Sequence, residues 1–170
     1  MRCLLLFLTV PLSAQRPCAE MARAPDVTSA AQTPTHCRVS ITLRPSADSE
    51  IHSEVWLPAA AVWNGKFLMA GGGGFAGSVN TGGMANAVRE GYAAASTDTG
   101  HTGSSGSFAL GHPEKIIDFA FRAVHETAVK AKALIAAYYG RGPRLSYWEG
   151  CSTGGRQGLM SAQRYPEDFD

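Results

Sequence analysis

No Cys-x-x-Cys pair occurs in the 170 residues, and the five histidines stand at no metal-ligand spacing from the four cysteines. A structural metal site is therefore not expected. Charge is equally sparse: Lys, Arg, Asp and Glu make up 17% of the chain, the net charge is +1, and the basic residues are scattered. That pattern lacks the electrostatic footprint of a protein that binds nucleic acid or an anionic membrane surface. Beyond the first 15 residues no apolar run is long enough to cross a bilayer. Internal repeats and low-complexity linkers are also missing, which sets aside repeat arrays and flexibly tethered modules.

What is there suits one globular domain with a core of its own, at 45% hydrophobic residues. The N-terminal "MRCLLLFLTVPLSAQ" has Arg2, an apolar run from Cys3 to Leu12, and small residues ending at Ala14. It reads as an export signal over residues 1–14, although Leu12 fits the small-x-small cleavage rule poorly. The competing reading is an N-terminus that is disordered or packs into the core. Export makes the mature protein secreted, to the periplasm or the medium, and leaves Cys18, Cys37 and Cys151. Cys18 and Cys37 are close enough in sequence to staple an N-terminal arm, residues 15–36, to the first strand. Cys151 is then odd.

Alternating patterns organise the rest. "CRVSITLRP" and "EIHSEVWLP" read as strands separated by turn-forming residues, and "GKFLMA" as a third strand running into "GGGGFAG". "MANAVREG" suits a short helix, "YAAAST" a buried strand, and Pro113–Tyr139 a long helix ending at Gly140. "RLSYWEG" is then a strand and "GGRQGLMSAQRYP" a helix stopped before Pro166. The order predicts an α/β fold with a mostly parallel sheet and crossover helices.

Gly150-Cys151-Ser152-Thr153-Gly154 satisfies G-x-S-x-G between a predicted strand and a predicted helix, the context of a nucleophile elbow. A sharp turn there lifts the serine hydroxyl above the sheet edge, and the N–H of Thr153 points to where an oxyanion forms. An idle serine in a glycine-rich turn is the plainer alternative. The loop after "GKFLMA" suits the second half of an oxyanion hole, with Gly73 or Gly74 as donor. A rival reading exists. Gly72, Gly74 and Gly77 spell G-x-G-x-x-G after a strand, with Asp98 near where a ribose-binding acid belongs, as in an NAD(P)-dependent oxidoreductase. Against it, "SVNTGG" delays the helix that this fingerprint requires at once, and two predicted strands precede the loop.

"WNGKFLMAGGGGFAG", "GYAAASTDTGH" and "GCSTGGRQGLMSAQRYPEDFD" resemble the tannase and feruloyl esterase family, from about Cys37 to Asp170. The family also includes a hydrolase of mono(hydroxyethyl) terephthalate. The resemblance implies the N-terminal part of an α/β-hydrolase fold over residues 37–170, with Ser152 as nucleophile and Thr153, Gly73 and Gly74 at the oxyanion hole. It further implies that Cys151 bridges to a second cysteine beside the catalytic histidine. That cysteine, the triad acid and base, an inserted lid and its structural calcium are all expected beyond Asp170. No cofactor is required for the chemistry.

The five histidines precede Ser152, whereas the triad order in this fold is serine, acid, histidine. Asp98 and His101 are expected to shape or cap a loop, and His125 to be a helix surface or core residue. The expectation is thus a secreted serine esterase acting on small aromatic esters of feruloyl or galloyl type, of which these residues alone are an inactive piece. The NAD(P) reading and a non-catalytic binding module remain as alternatives.

Overall fold

The computed structural model describes residues 15–75 and 77–170. The expected export signal and Cys3 fall outside the described residues. One sheet of six strands carries the fold, in the spatial order β1-β2-β3-β5-β4-β6. The strands are β1 (Val27–Gln32), β2 (His36–Leu43), β3 (Ile51–Pro58), β4 (Lys66–Ala70), β5 (Ala93–Thr97) and β6 (Leu145–Glu149). The helices are α1 (Thr81–Arg89), α2 (Pro113–Ile117), α3 (Ala123–Tyr139) and α4 (Thr153–Arg164).

The α/β architecture is present, but the sheet is mixed, a correction to the mostly parallel sheet read from the sequence. β1–β2, β2–β3 and β3–β5 pair antiparallel, and only β5–β4 and β4–β6 pair parallel. The connections decide this. Short turns after β1 and β2 reach only an antiparallel neighbour, whereas a parallel neighbour needs a crossover, supplied here by α1 and by α2–α3. The N-terminal arm, residues 15–36, is part of the same sheet. It forms a 3₁₀ turn (Cys18–Arg23) and then β1, the edge strand of the same sheet. A Cys18–Cys37 disulfide, Cα atoms 5.5 Å apart, ties that turn to β2.

β5 shows how the layers form. All five residues of "AAAST" are buried, because the strand is covered on both faces. Ala94 packs with Ala70 and with Met84 and Ala87 of α1. Ala93 and Ala95 belong to the larger core, with Val124, Ala128, Leu134 and Ile135 of α3. Successive side chains point to opposite faces, so the small alanines let helices approach from both sides.

The helical stretch predicted from Pro113 to Tyr139 is unbroken but not uniform. Asp118–Arg122 makes a π-helical turn, in which the Ala123 N–H reaches back five residues to the Asp118 carbonyl. Gly140, at φ 71°, stops α3 with the left-handed residue that helix ends favour.

Candidate active site

The ends of β4 and β6 fix the site. The two strands are parallel neighbours in a register that pairs Ala70 with Glu149, so the loops that follow leave the same sheet edge together. The Gly71 N–H still donates to the Glu149 carbonyl at 2.8 Å. Beyond that point the two backbones enclose a cavity of about 400 Å³ lined by Gly71, Gly72, Gly73, Asn80, Gly150 and Cys151.

Ser152 sits at the sharpest bend. Its φ of 56° and ψ of −120° lie outside every region that L-residues favour, and α4 begins at the next residue. Such a conformation costs about 1–3 kcal/mol and persists only when its surroundings over-determine it. Here they do. A Cβ on Gly150 would stand 2.6 Å from the Gly154 carbonyl carbon, so the strand end and the first turn of α4 touch backbone to backbone. The Trp148 indole N–H donates to the Gly154 carbonyl at 2.9 Å, holding the turn from the sheet side. Ser152 is exposed at this bend.

Main-chain donors without acceptors lie on the loops that flank this bend. Among the described residues, the N–H groups of Gly72, Gly73, Gly74 and Thr153 have no hydrogen-bond partner. Gly73 and Gly74 are exposed, nothing lies within 4 Å of where a Cβ would stand on either, and Gly74 has φ +58°. An oxyanion hole requires unsatisfied main-chain donors of this kind near a nucleophile.

Asn80, which the sequence reading passed over, braces the glycine loop. Its amide donates to the Gly71 carbonyl at 2.8 Å, and its Oδ1 accepts the Gly83 N–H at 3.0 Å as the N-cap of α1. The signal was an Asn just ahead of a helix, obscured by Gly82 and Gly83. From the other side, His101 Nε2 donates to the Phe75 carbonyl at 2.8 Å, and Gly77 and Gly103 bridge the two loops. Asp98 caps its own loop. Its Oδ1 accepts the N–H groups of His52 (3.0 Å) and Gly100 (2.8 Å), and burial pushes its pKa up to about 6 against those bonds.

These positions dispose of the dinucleotide fingerprint. After Gly77 the chain runs on to Asn80 before α1 starts, so no helix N-terminus opens inside Gly72–Gly77. Asp98 is 4% exposed and already holds two main-chain donors, which leaves it no reach to a ribose.

The histidines are engaged elsewhere. His36 pairs with Thr35, His52 with Thr42 and Glu50, His112 with Asp48, and His125 with Asp168 while stacking on Tyr165. Among the described residues no histidine hydrogen-bonds Ser152. Cys151 is an exposed free thiol. Among the described residues no group of three or more His, Cys, Asp or Glu is placed to hold a metal ion. No described helix is long and apolar enough to cross a membrane.

A larger groove, about 800 Å³ and lined by His36, Trp56, Pro58, Val88 and Gly91, lies at the opposite sheet edge, where β3 ends and β5 begins. Ligands of parallel α/β sheets bind beyond the carboxyl ends of the strands, so the smaller cavity is the candidate site.

Comparison with known proteins identifies the family. A family model described as tannase and feruloyl esterase matches residues 37–170. An uncharacterized esterase of Xanthomonas campestris pv. campestris is 47% identical over 149 residues, 86% of this chain and 26% of the relative. A protein of Neosartorya fischeri named "Probable feruloyl esterase B-1" is 45% identical over 134 residues, 79% of this chain and 25% of the relative. The crystal structure of feruloyl esterase B from Aspergillus oryzae superposes with a TM-score of 0.77 at 37% identity, covering 95% of this chain and 31% of that one. The chain thus spans about a quarter of the length of the curated relatives it matches.

Proposed function

The chain belongs to the tannase and feruloyl esterase family, and from that premise we propose that it carries the nucleophile and oxyanion hole of a serine carboxylic ester hydrolase. The substrates are esters of aromatic or phenolic acids, of feruloyl or galloyl type. One observation supports the reading: an exposed serine at φ 56°, ψ −120° directly follows Cys151, which lines one cavity with Gly72 and Gly73, and the N–H groups of those glycines have no acceptor among the described residues.

The chemistry follows in two steps. Ser152 Oγ bonds to the ester carbonyl carbon as a general base takes its proton, and the carbonyl oxygen becomes an oxyanion. The N–H groups of Thr153 and of Gly73 or Gly74 receive that oxyanion, each worth about 3 kcal/mol of the barrier. The carbon–alkoxide bond then breaks, the proton passes to the leaving alcohol, and an acyl group remains on Ser152. Water attacks this acyl-enzyme by the same route and releases the acid. The base and its acid partner belong, in this proposal, to parts of the whole protein outside these residues, as does any calcium-bearing lid. In this proposal Cys151, an exposed thiol beside the serine, bridges to a cysteine of that region. The proposal includes export, which suits the Cys18–Cys37 disulfide.

A fluorophosphonate probe tests the core of it. The whole protein is expected to label at Ser152, to hydrolyse methyl ferulate, and to lose both with Ser152→Ala. The 170-residue chain alone is expected to show no turnover above that variant. Absence of labelling in the whole protein would leave a non-catalytic binding module, and quenching of NADH fluorescence on titration would revive the oxidoreductase reading.

A further inference from the structure

Arg156 lies one turn into α4, and its half-buried guanidinium has no carboxylate partner among the described residues. Partial burial lowers its pKa from the ordinary guanidinium value. A cation taken out of water needs compensation. It comes from the π-helical turn: Nη1 donates to the Ala120 carbonyl at 2.8 Å and Nη2 to the Phe119 carbonyl at 3.1 Å.

The turn's geometry explains why a carbonyl is available. In an α-helix the Phe119 carbonyl accepts the N–H of Ala123. Here that N–H goes to Asp118, five residues back, and Phe119 is left without it. The widened turn is braced from within, since the buried Asp118 carboxylate accepts from Arg122 Nε at 2.6 Å and from the Ser49 hydroxyl. The freed oxygen and its neighbour form a two-carbonyl fork that a planar guanidinium matches.

Arg156 also stacks over the Phe119 ring, 5.0 Å from its centroid. That ring packs 5.5 Å from Phe75, which follows Gly73 and Gly74 in the glycine loop. The Arg156 N–H itself donates to the Ser152 carbonyl at 3.1 Å, the first bond of α4. The Arg156 side chain thus ties the first turn of α4, whose main chain bonds the Ser152 carbonyl, to the π-helical turn, and through the Phe119 ring to Phe75 of the glycine loop. We propose that Arg156 is a positioning residue that sets Ser152 and the Gly73–Gly74 donors relative to one another through the carbonyls and ring of the π-helical turn. The proposal rests on the esterase reading above.

The test uses the whole protein, with active sites counted by fluorophosphonate titration at Ser152. For Arg156→Ala and Arg156→Lys, kcat per titrated site is expected to fall by about 10²-fold, the scale of an ångström of misplacement, with KM changed by less than about twofold. Millimolar methylguanidinium is expected to restore activity to Arg156→Ala, and ethylammonium is not. A residue that only supports the fold gives a different result: fewer titratable sites, each turning over at the wild-type rate, and that outcome overturns the proposal. If Arg156→Ala yields no folded protein, Arg156→Lys and Phe119→Leu decide, the latter expected to lower kcat per site while the carbonyl bonds persist. Failure of the wild-type protein to label at Ser152 sinks the esterase reading and this inference together. Labelling with unchanged kcat in every variant sinks the inference alone.

Discussion

Replacing Gly150 with alanine puts a methyl group where α4 already touches the end of β6. The added Cβ stands 2.6 Å from the Gly154 carbonyl carbon, 2.7 Å from its oxygen and 2.8 Å from its Cα, all main-chain atoms that no rotamer change can move. Ordinary contact starts at 3.4 Å, so the first turn of α4 must retreat by about 0.8 Å. Overpacking of this kind costs about 1–3 kcal/mol. The retreat also draws the Gly154 carbonyl off the Trp148 indole, a hydrogen bond worth about 1 kcal/mol. We expect Gly150→Ala to lower the stability of the chain by about 2–4 kcal/mol in urea denaturation followed by circular dichroism. In the whole protein it should slow fluorophosphonate labelling of Ser152 by about 10²-fold, because the elbow moves relative to Gly73 and Gly74. Gly155 is the matched control. It lies in the same turn, yet its Cβ would meet only the Gly150 carbonyl oxygen, at 3.7 Å. Gly155→Ala should therefore add up to about 1 kcal/mol through helix propensity and leave labelling intact. If Gly150→Ala denatures and labels like the wild type, or Gly155→Ala suffers equally, close backbone approach is not what holds the elbow.

Reducing the Cys18–Cys37 bridge, which closes a loop of 19 residues' separation, should cost about 3 kcal/mol; an unchanged urea midpoint with and without reductant refutes this. Alkylation of the unreduced chain should modify Cys151, the exposed thiol, and spare Cys18 and Cys37, as peptide mass mapping will show. Asp98 makes stability depend on pH in an unusual direction. Its folded pKa of about 6 exceeds the ordinary 3.8, so its contribution is full below pH 3.8 and is lost as pH rises through 6. Asp98→Asn keeps an Oδ1 for His52 and Gly100, and should be more stable than wild type by up to about 3 kcal/mol at pH 7 and by nothing near pH 4; a variant less stable than wild type at pH 7 contradicts it.

The elements legible in the sequence were those whose signal is local. β5 and α4 could be read from a run of small apolar residues and from a helical pattern closed by Pro166. β1 could not. "VTSAAQ" has no buried face to announce it, with four of its six residues exposed, and it holds its place by pairing with β2 beside the Cys18–Cys37 bridge. The π-helical turn was equally silent, because one extra residue in a helix barely alters the apolar spacing of "IIDFAFRAV". The mixed sheet escaped for a third reason: strand polarity at β3–β5 depends on which distant strands meet, and no residue in either strand records it.

The candidate site joins both kinds of information. The glycine loop and the G-x-S-x-G turn are each readable in a window of ten residues, and each alone fits an idle loop. Their meaning comes from β4 and β6 being parallel neighbours with Ala70 opposite Glu149. Parallel pairing is required, because an antiparallel β6 would place its elbow at the far sheet edge from the glycine loop. Register is required too. The contact of Gly71 with Trp148, Gly154 and Gln157 leaves no room for a Cβ, so sliding β6 by one residue would drive side chains into the loop and turn Trp148 away from the Gly154 carbonyl. The strain at Ser152 is therefore sustained by a strand pairing between segments some 80 residues apart in the chain, and any change that loosens β4–β6 should relax the serine before it unfolds the sheet.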